Sequence, residues 1–234
     1  MSKTGIYWFR KALRLHDNDA LLKATQECDI LYPVFFLDPA FTDDKKMEID
    51  NGLAPSKLKG TGIDKPCANV FQFFFETMDD LNKSLKKLSS QLIVFRGNPR
   101  ELFPIIFKEW NVNCLYFEND TEPYSLDRDN IVTNICQKNG IKIYDSFGHT
   151  LYDPKYLLTK YNQVPPKTYK AFCNLLDKCS DPMKPIKPID SIPKMDVNKV
   201  KKVGKLLENK FNIKQYGFKV PNIIEIGYKK ENIG

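Results

Sequence analysis

Gly5-Ile6-Tyr7-Trp8-Phe9-Arg10-Lys11-Ala12-Leu13-Arg14-Leu15-His16-Asp17-Asn18 is the stretch that decides how this chain folds. Gly5 to Phe9 reads as a buried strand, and the apolar run breaks into charge at Arg10. Asp17 or Asn18 then offers a side-chain oxygen to cap a helix over Asp19 to Thr25. A first strand that feeds a polar loop and then a helix is where an open α/β sheet sets its ligand crevice.

The pattern repeats along the chain. Short apolar runs recur at Gly5–Phe9, Ile30–Leu37, Leu92–Phe95, Cys114–Phe117 and Ile141–Tyr144, as expected of strands covered on both faces. Helical stretches lie between them. Asn69 to Leu88 carries Phe71, Phe74, Phe75, Met78, Leu81, Leu85 and Leu88 at three-to-four spacing. Asn98-Pro99 opens a helix that runs to about Trp110, and Glu122-Pro123 opens another that ends at Asn139-Gly140. Right-handed crossovers turn this order into an α/β fold: a Rossmann-like, doubly wound five-stranded parallel sheet. A basic, Pro-rich C-terminal extension follows it. The expected division is an α/β domain over residues 1–150 and an extension over 151–234.

Charge separates the same two parts. Residues 1–150 hold 19 Lys/Arg against 21 Asp/Glu, whereas residues 151–234 hold 17 against 8. The basic excess suits either a solvated tail or an acidic partner. No run approaches the roughly 18 apolar residues of a membrane span, and the N-terminus lacks the apolar core of a secretory signal. An intracellular protein of the nucleus or cytoplasm is expected. The six cysteines form no C-x-x-C pair and do not cluster with the two histidines, so reduced thiols and no metal are expected. Asp38 to Ala68 is long for a connection and reads as a mobile surface insertion; its Gly60-Thr61-Gly62 lacks a phosphate loop's Lys-Ser/Thr ending. Asp181 to Lys194, with four prolines, reads as an extended linker, and Val197 to Lys210 as a lysine-rich helix.

Trp8-Phe9-Arg10-Lys11 with Leu13-Arg14-Leu15-His16-Asp17-Asn18 resembles the opening signature of the photolyase/cryptochrome flavoproteins, in particular the animal cryptochrome and (6-4) photolyase branch. Phe36-Leu37-Asp38-Pro39, Leu92 to Pro99, Phe117-Glu118-Asn119-Asp120-Thr121-Glu122-Pro123-Tyr124, Arg128-Asp129, His149 to Pro154 and Pro165 to Phe172 resemble further family segments in order. Val220-Pro221 to Tyr228 resembles the segment that joins the family's two domains. The resemblance implies light-dependent DNA repair or blue-light and circadian signalling, with damaged DNA or clock and signalling proteins as partners. It also implies FAD, carried by a larger helical domain that has no counterpart here, so activity of this chain alone is not expected. An antenna chromophore, deazaflavin or folate, would lie beside Arg10, Asp38, Asn69 and Glu118. The family's Asn-Arg-x-Arg-Phe is here Asn69-Val70-Phe71-Gln72-Phe73, so two cationic donors for an anionic chromophore are missing.

Each of these residues has a plainer reading. Arg10 and Arg14 suit structural ion pairs with Asp17, Asp38 or Glu118. Asp38 and Glu118 end strands, with no histidine or nucleophile beside them for acid/base work. His16 suits a helix cap, His149 packing, and Trp8 and Trp110 the core. Lys167 to Lys170 suit an interaction surface; Phe71, Phe73, Phe74 and Phe75 suit the core, although four in so short a span cover more than one helix face and leave one for an interdomain or oligomer contact. The alternative function is a non-enzymatic partner-binding module. A nucleotide-binding enzyme is a weaker third reading, because Arg10-Lys11-Ala12 stands where a Gly-rich loop is needed.

Overall fold

The computed structural model describes residues 2–38 and 68–207, with side chains from residue 73 onward in the second segment. The elements are β1 (Thr4–Trp8), α1 (Asp19–Glu27), β2 (Ile30–Leu37), α2 (Ala68–Lys87), β3 (Ile93–Arg96), α3 (Pro99–Trp110), β4 (Cys114–Glu118), α4 (Pro123–Lys138), β5 (Lys142–Ser146), α5 (Pro154–Lys160), α6 (Tyr169–Leu176) and α7 (Val197–Lys202), followed by a 3-10 turn at Gly204–Leu206. The strands form a five-stranded parallel sheet in the order β3-β2-β1-β4-β5, as the alternation of strand and helix requires. Two compact units are described in turn: Met1–Leu31 with Val112–Pro193, and Tyr32–Asn111 with Lys194–Gly234.

In the first unit β1 pairs with β4 from Gly5↔Cys114 to Trp8↔Phe117, and β4 with β5 from Cys114↔Lys142 to Glu118↔Ser146. Every residue of β1 and β4 is buried, which explains why their sequences are apolar on both faces. Gly5 is required by close packing: a Cβ there would lie 2.4 Å from Cys28 Sγ. Asn18, one of the two expected caps, closes α1 by accepting from the Leu21 amide at 3.0 Å. The Tyr7 hydroxyl donates to the same Asn18 oxygen at 2.8 Å, tying the cap to the strand. Gly140 ends α4 with φ +67, a conformation glycine adopts without steric cost. Residues 151–193 also belong to this unit, with Leu175, Ile189 and Ile192 buried.

In the second unit β2 pairs with β3 from Val34↔Ile93 to Leu37↔Arg96. Trp110, at the end of α3, stacks on Tyr32 at 4.2 Å and donates its indole N–H to the Lys199 carbonyl at 3.0 Å. The Lys199 ammonium donates to the Trp110 carbonyl at 2.8 Å, so α7 is held at both ends of one contact. Trp8 and Trp110 are core residues, as expected.

Boundaries differ from the sequence reading where polar residues carry regular structure. β5 continues through Asp145 and Ser146 because they still pair with Phe117 and Glu118, although neither is apolar. α7 stops at Lys202 ahead of Gly204, whose helix propensity is poor, so the described part of the long helix expected to Lys210 is shorter. Among the described residues no helix is long and apolar enough to cross a membrane, and no three His, Cys, Asp or Glu side chains gather as metal ligands. Cys28, Cys114, Cys136, Cys173 and Cys179 are free thiols. The 39–67 insertion with Gly60-Thr61-Gly62 and Cys67, the side chains of Asn69 and Phe71, and the 208–234 tail lie outside the described residues.

Candidate functional site

The rim of the first unit is built from the loop after β1, the end of β4 and the loop after β5. Arg10 leaves β1 and turns back into the protein. Its Nη1 donates to Asp129 Oδ1 on α4 at 2.5 Å, and its Nη2 donates to the Glu118 carbonyl. The two side chains of this pair are 7% and 12% exposed, so the charges are desolvated and depend on each other. Asp129 Oδ1 also accepts from Arg128 Nε at 3.1 Å. Both guanidiniums lie 4.8 Å from the Trp8 ring, and Arg10 also covers Phe117 at 4.8 Å. Burial pulls the Arg10 guanidinium below its ordinary value, and Asp129 opposes that shift.

The expected partners of Arg10 were Asp17, Asp38 or Glu118; the observed side-chain partner is Asp129, and Glu118 contributes its backbone. A signal for Asp129 was available. The buried positions of α4 are Ser125, Arg128, Asp129, Val132 and Cys136, a helical stripe that is largely polar. A search for apolar periodicity passes over such a stripe.

Arg14 uses its donors on carbonyls. It donates to Gly148 at 2.6 Å, to Asp17 at 2.9 Å and to His16 at 3.1 Å. Its nearest carboxylate approaches, 3.9 Å to Asp17 and 4.0 Å to Glu118, are longer than hydrogen bonds. His16 therefore contributes its backbone here, while Asn18 takes the capping role. Asp17 has φ 47 and is fastened to the Pro-rich segment: its amide donates to the Ile186 carbonyl at 2.8 Å, and its side chain accepts from the Ile186 amide at 3.1 Å. The Ile189 amide adds a bond to the Leu15 carbonyl at 3.2 Å. The stretch read as a linker is thus extended but docked on the rim loop.

Glu118 ends β4 with 5% exposure, and its Oε1 has no hydrogen-bond partner. Burial pushes its carboxyl up to about 7, against the pull of Arg14 and Arg10 and a backbone hydrogen bond from Ala12. Asp120, two residues on, behaves oppositely. Burial raises its carboxyl, but Lys11, Ser125 and the Thr121 and Glu122 amides outweigh that and hold it at about 2. Asp38 ends β2 in the second unit and is 5% exposed. Asn69 falls in α2, its side chain outside the described residues. His149 has a buried Nδ1 without a partner and packs near Phe147, with ring centres 6.5 Å apart.

An open parallel sheet in the order β3-β2-β1-β4-β5, with an arginine-bearing loop after its first strand, defines the class: a doubly wound α/β domain. Comparison with known proteins narrows this. Residues 5–191 match the family model described as DNA photolyase, and the chain belongs to that family. Mouse Cryptochrome-1 is 32% identical over 233 residues, which is 100% of this chain and 34% of that protein. The Arabidopsis thaliana (6-4)DNA photolyase is 38% identical over 168 residues, covering 72% of this chain and 28% of that protein. The chain thus spans about a third of the curated relatives it matches. Among solved structures, an archaeal photolyase from Sulfolobus tokodaii, described with two FAD molecules, matches with TM-score 0.63 and 25% identity over 85% of this chain and 41% of its own. A Synechocystis cryptochrome shares the fold, with TM-score 0.66 and 22% identity over 82% of this chain and 37% of its own.

Proposed function

We propose that this chain serves as the N-terminal α/β domain of a photolyase/cryptochrome-type flavoprotein, with residues 1–150 as the domain proper and 151–234 as a connector-like extension. The family role is light-dependent DNA repair or blue-light and circadian signalling, acting on damaged DNA or on clock and signalling proteins within the nucleus or cytoplasm. The observation that carries this reading is the match of the whole chain to Cryptochrome-1 together with the match to a (6-4)DNA photolyase. FAD would be held by the helical portion that such relatives possess. In this chain's rim, Arg10 is consumed by Asp129, and Glu118 Oε1 is buried. No step of flavin chemistry is assigned to these residues.

Arg10, Asp38, Asn69 and Glu118 remain the proposed rim positions, facing either an antenna chromophore (deazaflavin or folate) or an adjoining domain. The internal pairing of Arg10 favours the second role. Co-expression with the helical portion of a (6-4)DNA photolyase tests the reading, which requires the two pieces to co-purify. A partner-binding module without light chemistry is the alternative. It is favoured by the exposure of Tyr169 (83%), Met183 (90%) and Leu151 (73%) on the extension. Absorbance after incubation with a deazaflavin or folate separates the antenna role, which gives a bound near-ultraviolet or blue band, from that module.

A further inference from the structure

The buried carboxyl of Glu118 meets an unusual neighbour. A Cβ built on Gly148 would fall 1.8 Å from Glu118 Oε1 and 2.9 Å from its Cδ. A side chain on residue 148 would therefore displace the Glu118 carboxyl, whose Oε1 is buried with nothing donating to it. The loop that makes the contact is held by one strong bond, from Arg14 Nη2 to the Gly148 carbonyl at 2.6 Å. The same guanidinium nitrogen lies 4.0 Å from Glu118 Oε1. Arg14 Nη2 also donates to the Asp17 carbonyl at 2.9 Å, so its hydrogens are on neutral acceptors while the Glu118 carboxyl waits just outside bonding distance.

Among the described residues, the charged groups that act on the Glu118 carboxyl are Arg14, Arg10 and Asp17. β1 contributes Tyr7, and the rim loop contributes Arg10, Arg14 and Asp17. α4 contributes Asp129, which already holds Arg10. Arg10 donates to the Glu118 backbone carbonyl and is paired with Asp129, so among the described residues Arg14 is the cation placed to exchange acceptors.

We infer that Glu118, Arg14 and Gly148 form a proton-operated latch, in which the protonated carboxyl lets the loop 147–150 close over the end of β4 and the carboxylate draws Arg14 away and releases the loop. A charge-assisted bond is roughly twice as strong as one to a neutral carbonyl, so ionisation changes which acceptor Arg14 prefers. An ionised Oε1 also cannot stay pressed against a backbone that offers it no donor. The direction follows from burial. The folded carboxyl lies above its ordinary value, so the closed arrangement is favoured at low pH and is lost as pH rises through about 7. The latch needs no bound chromophore and is independent of the proposed light-dependent role.

The test is an amide NMR titration of the full chain from about pH 5 to about pH 9, a range that brackets the raised carboxyl. The Gly148 amide and the Arg14 side-chain Nε–H should move together with one midpoint near 7. Glu118→Gln keeps the shape of the protonated acid, and both signals should then stay at their low-pH positions throughout. Gly148→Ala cannot close, and its Arg14 signal should sit at the high-pH position at every pH. Arg14→Met provides a second route if either variant folds poorly, and should leave the Gly148 amide unresponsive. A wild-type titration without that midpoint, or the same midpoint in Glu118→Gln, overturns the latch.

Discussion

Removing Asp129 should be the most costly single change in the first unit. Its Oδ1 is shared by Arg10 at 2.5 Å and Arg128 at 3.1 Å, and the side chains are 7%, 8% and 12% exposed for Arg10, Arg128 and Asp129. Asp129→Ala leaves two guanidiniums, each 4.8 Å from the Trp8 ring, with no carboxylate between them. Breaking a buried pair by removing one partner costs about 3–5 kcal/mol, because the surviving charge stays desolvated. Here two cations survive, so the upper part of that range applies. At roughly 2–4 °C per kcal/mol for a chain of this size, the melting temperature should fall by about 10 °C or more. Replacing the pair together, Arg10→Met with Asp129→Leu, should be milder than Asp129→Ala alone, since an apolar pair of similar volume leaves less stranded charge. Urea denaturation of the two variants beside the parent measures this directly. A loss below about 1 kcal/mol for Asp129→Ala is what an exposed pair would give and would refute the buried-triad account.

Three further outcomes follow from separate parts of the structure. Gly5→Ala places a Cβ 2.4 Å from Cys28 Sγ and should cost about 1–3 kcal/mol in urea denaturation, with part of the loss recovered when Cys28→Ala is added. Trp110→Phe removes the donor to the Lys199 carbonyl, a loss of about 1 kcal/mol before packing changes, and should speed tryptic cleavage at Lys201 and Lys202 as α7 loosens. Glu118→Gln should change how stability depends on pH. The wild-type folded carboxyl titrates near 7 against 4.5 ordinarily, so the parent loses stability as pH rises between those values, by roughly 3 kcal/mol at most. The variant should lack that slope, and identical stability profiles for the two proteins would remove Glu118 as its source.

The fold was legible because its strands are buried on both faces. Gly5–Phe9 and Cys114–Phe117 are short continuous apolar runs, and Asn18, Pro99, Pro123 and Gly140 punctuate the helices where chemistry requires. The loop after β1 was also legible as the turn between the first strand and the helix capped by Asn18. What could not be read was its wiring. The partner of Arg10 lies 119 positions away on a helix whose buried stripe is polar, and nothing local marks Asp129 as different from exposed Asp127. The docking of Ile186 on Asp17 was equally hidden, since a proline-rich run looks the same whether it is free or held by two backbone hydrogen bonds and one to the Asp17 side chain. The raised Glu118 carboxyl follows from burial at the end of β4, and its closeness to Gly148 leaves no room for a side chain there, which no local pattern announces.

Flavin photoreduction in a two-piece complex tests the central claim most directly. This chain would be co-expressed with the helical portion of a (6-4)DNA photolyase, purified by a tag on this chain alone, and illuminated with blue light in the presence of a reductant. The account predicts a co-purifying flavin whose blue absorbance bleaches on illumination. A folded chain that brings down no helical portion and no flavin would contradict its assignment as a photolyase/cryptochrome-type domain.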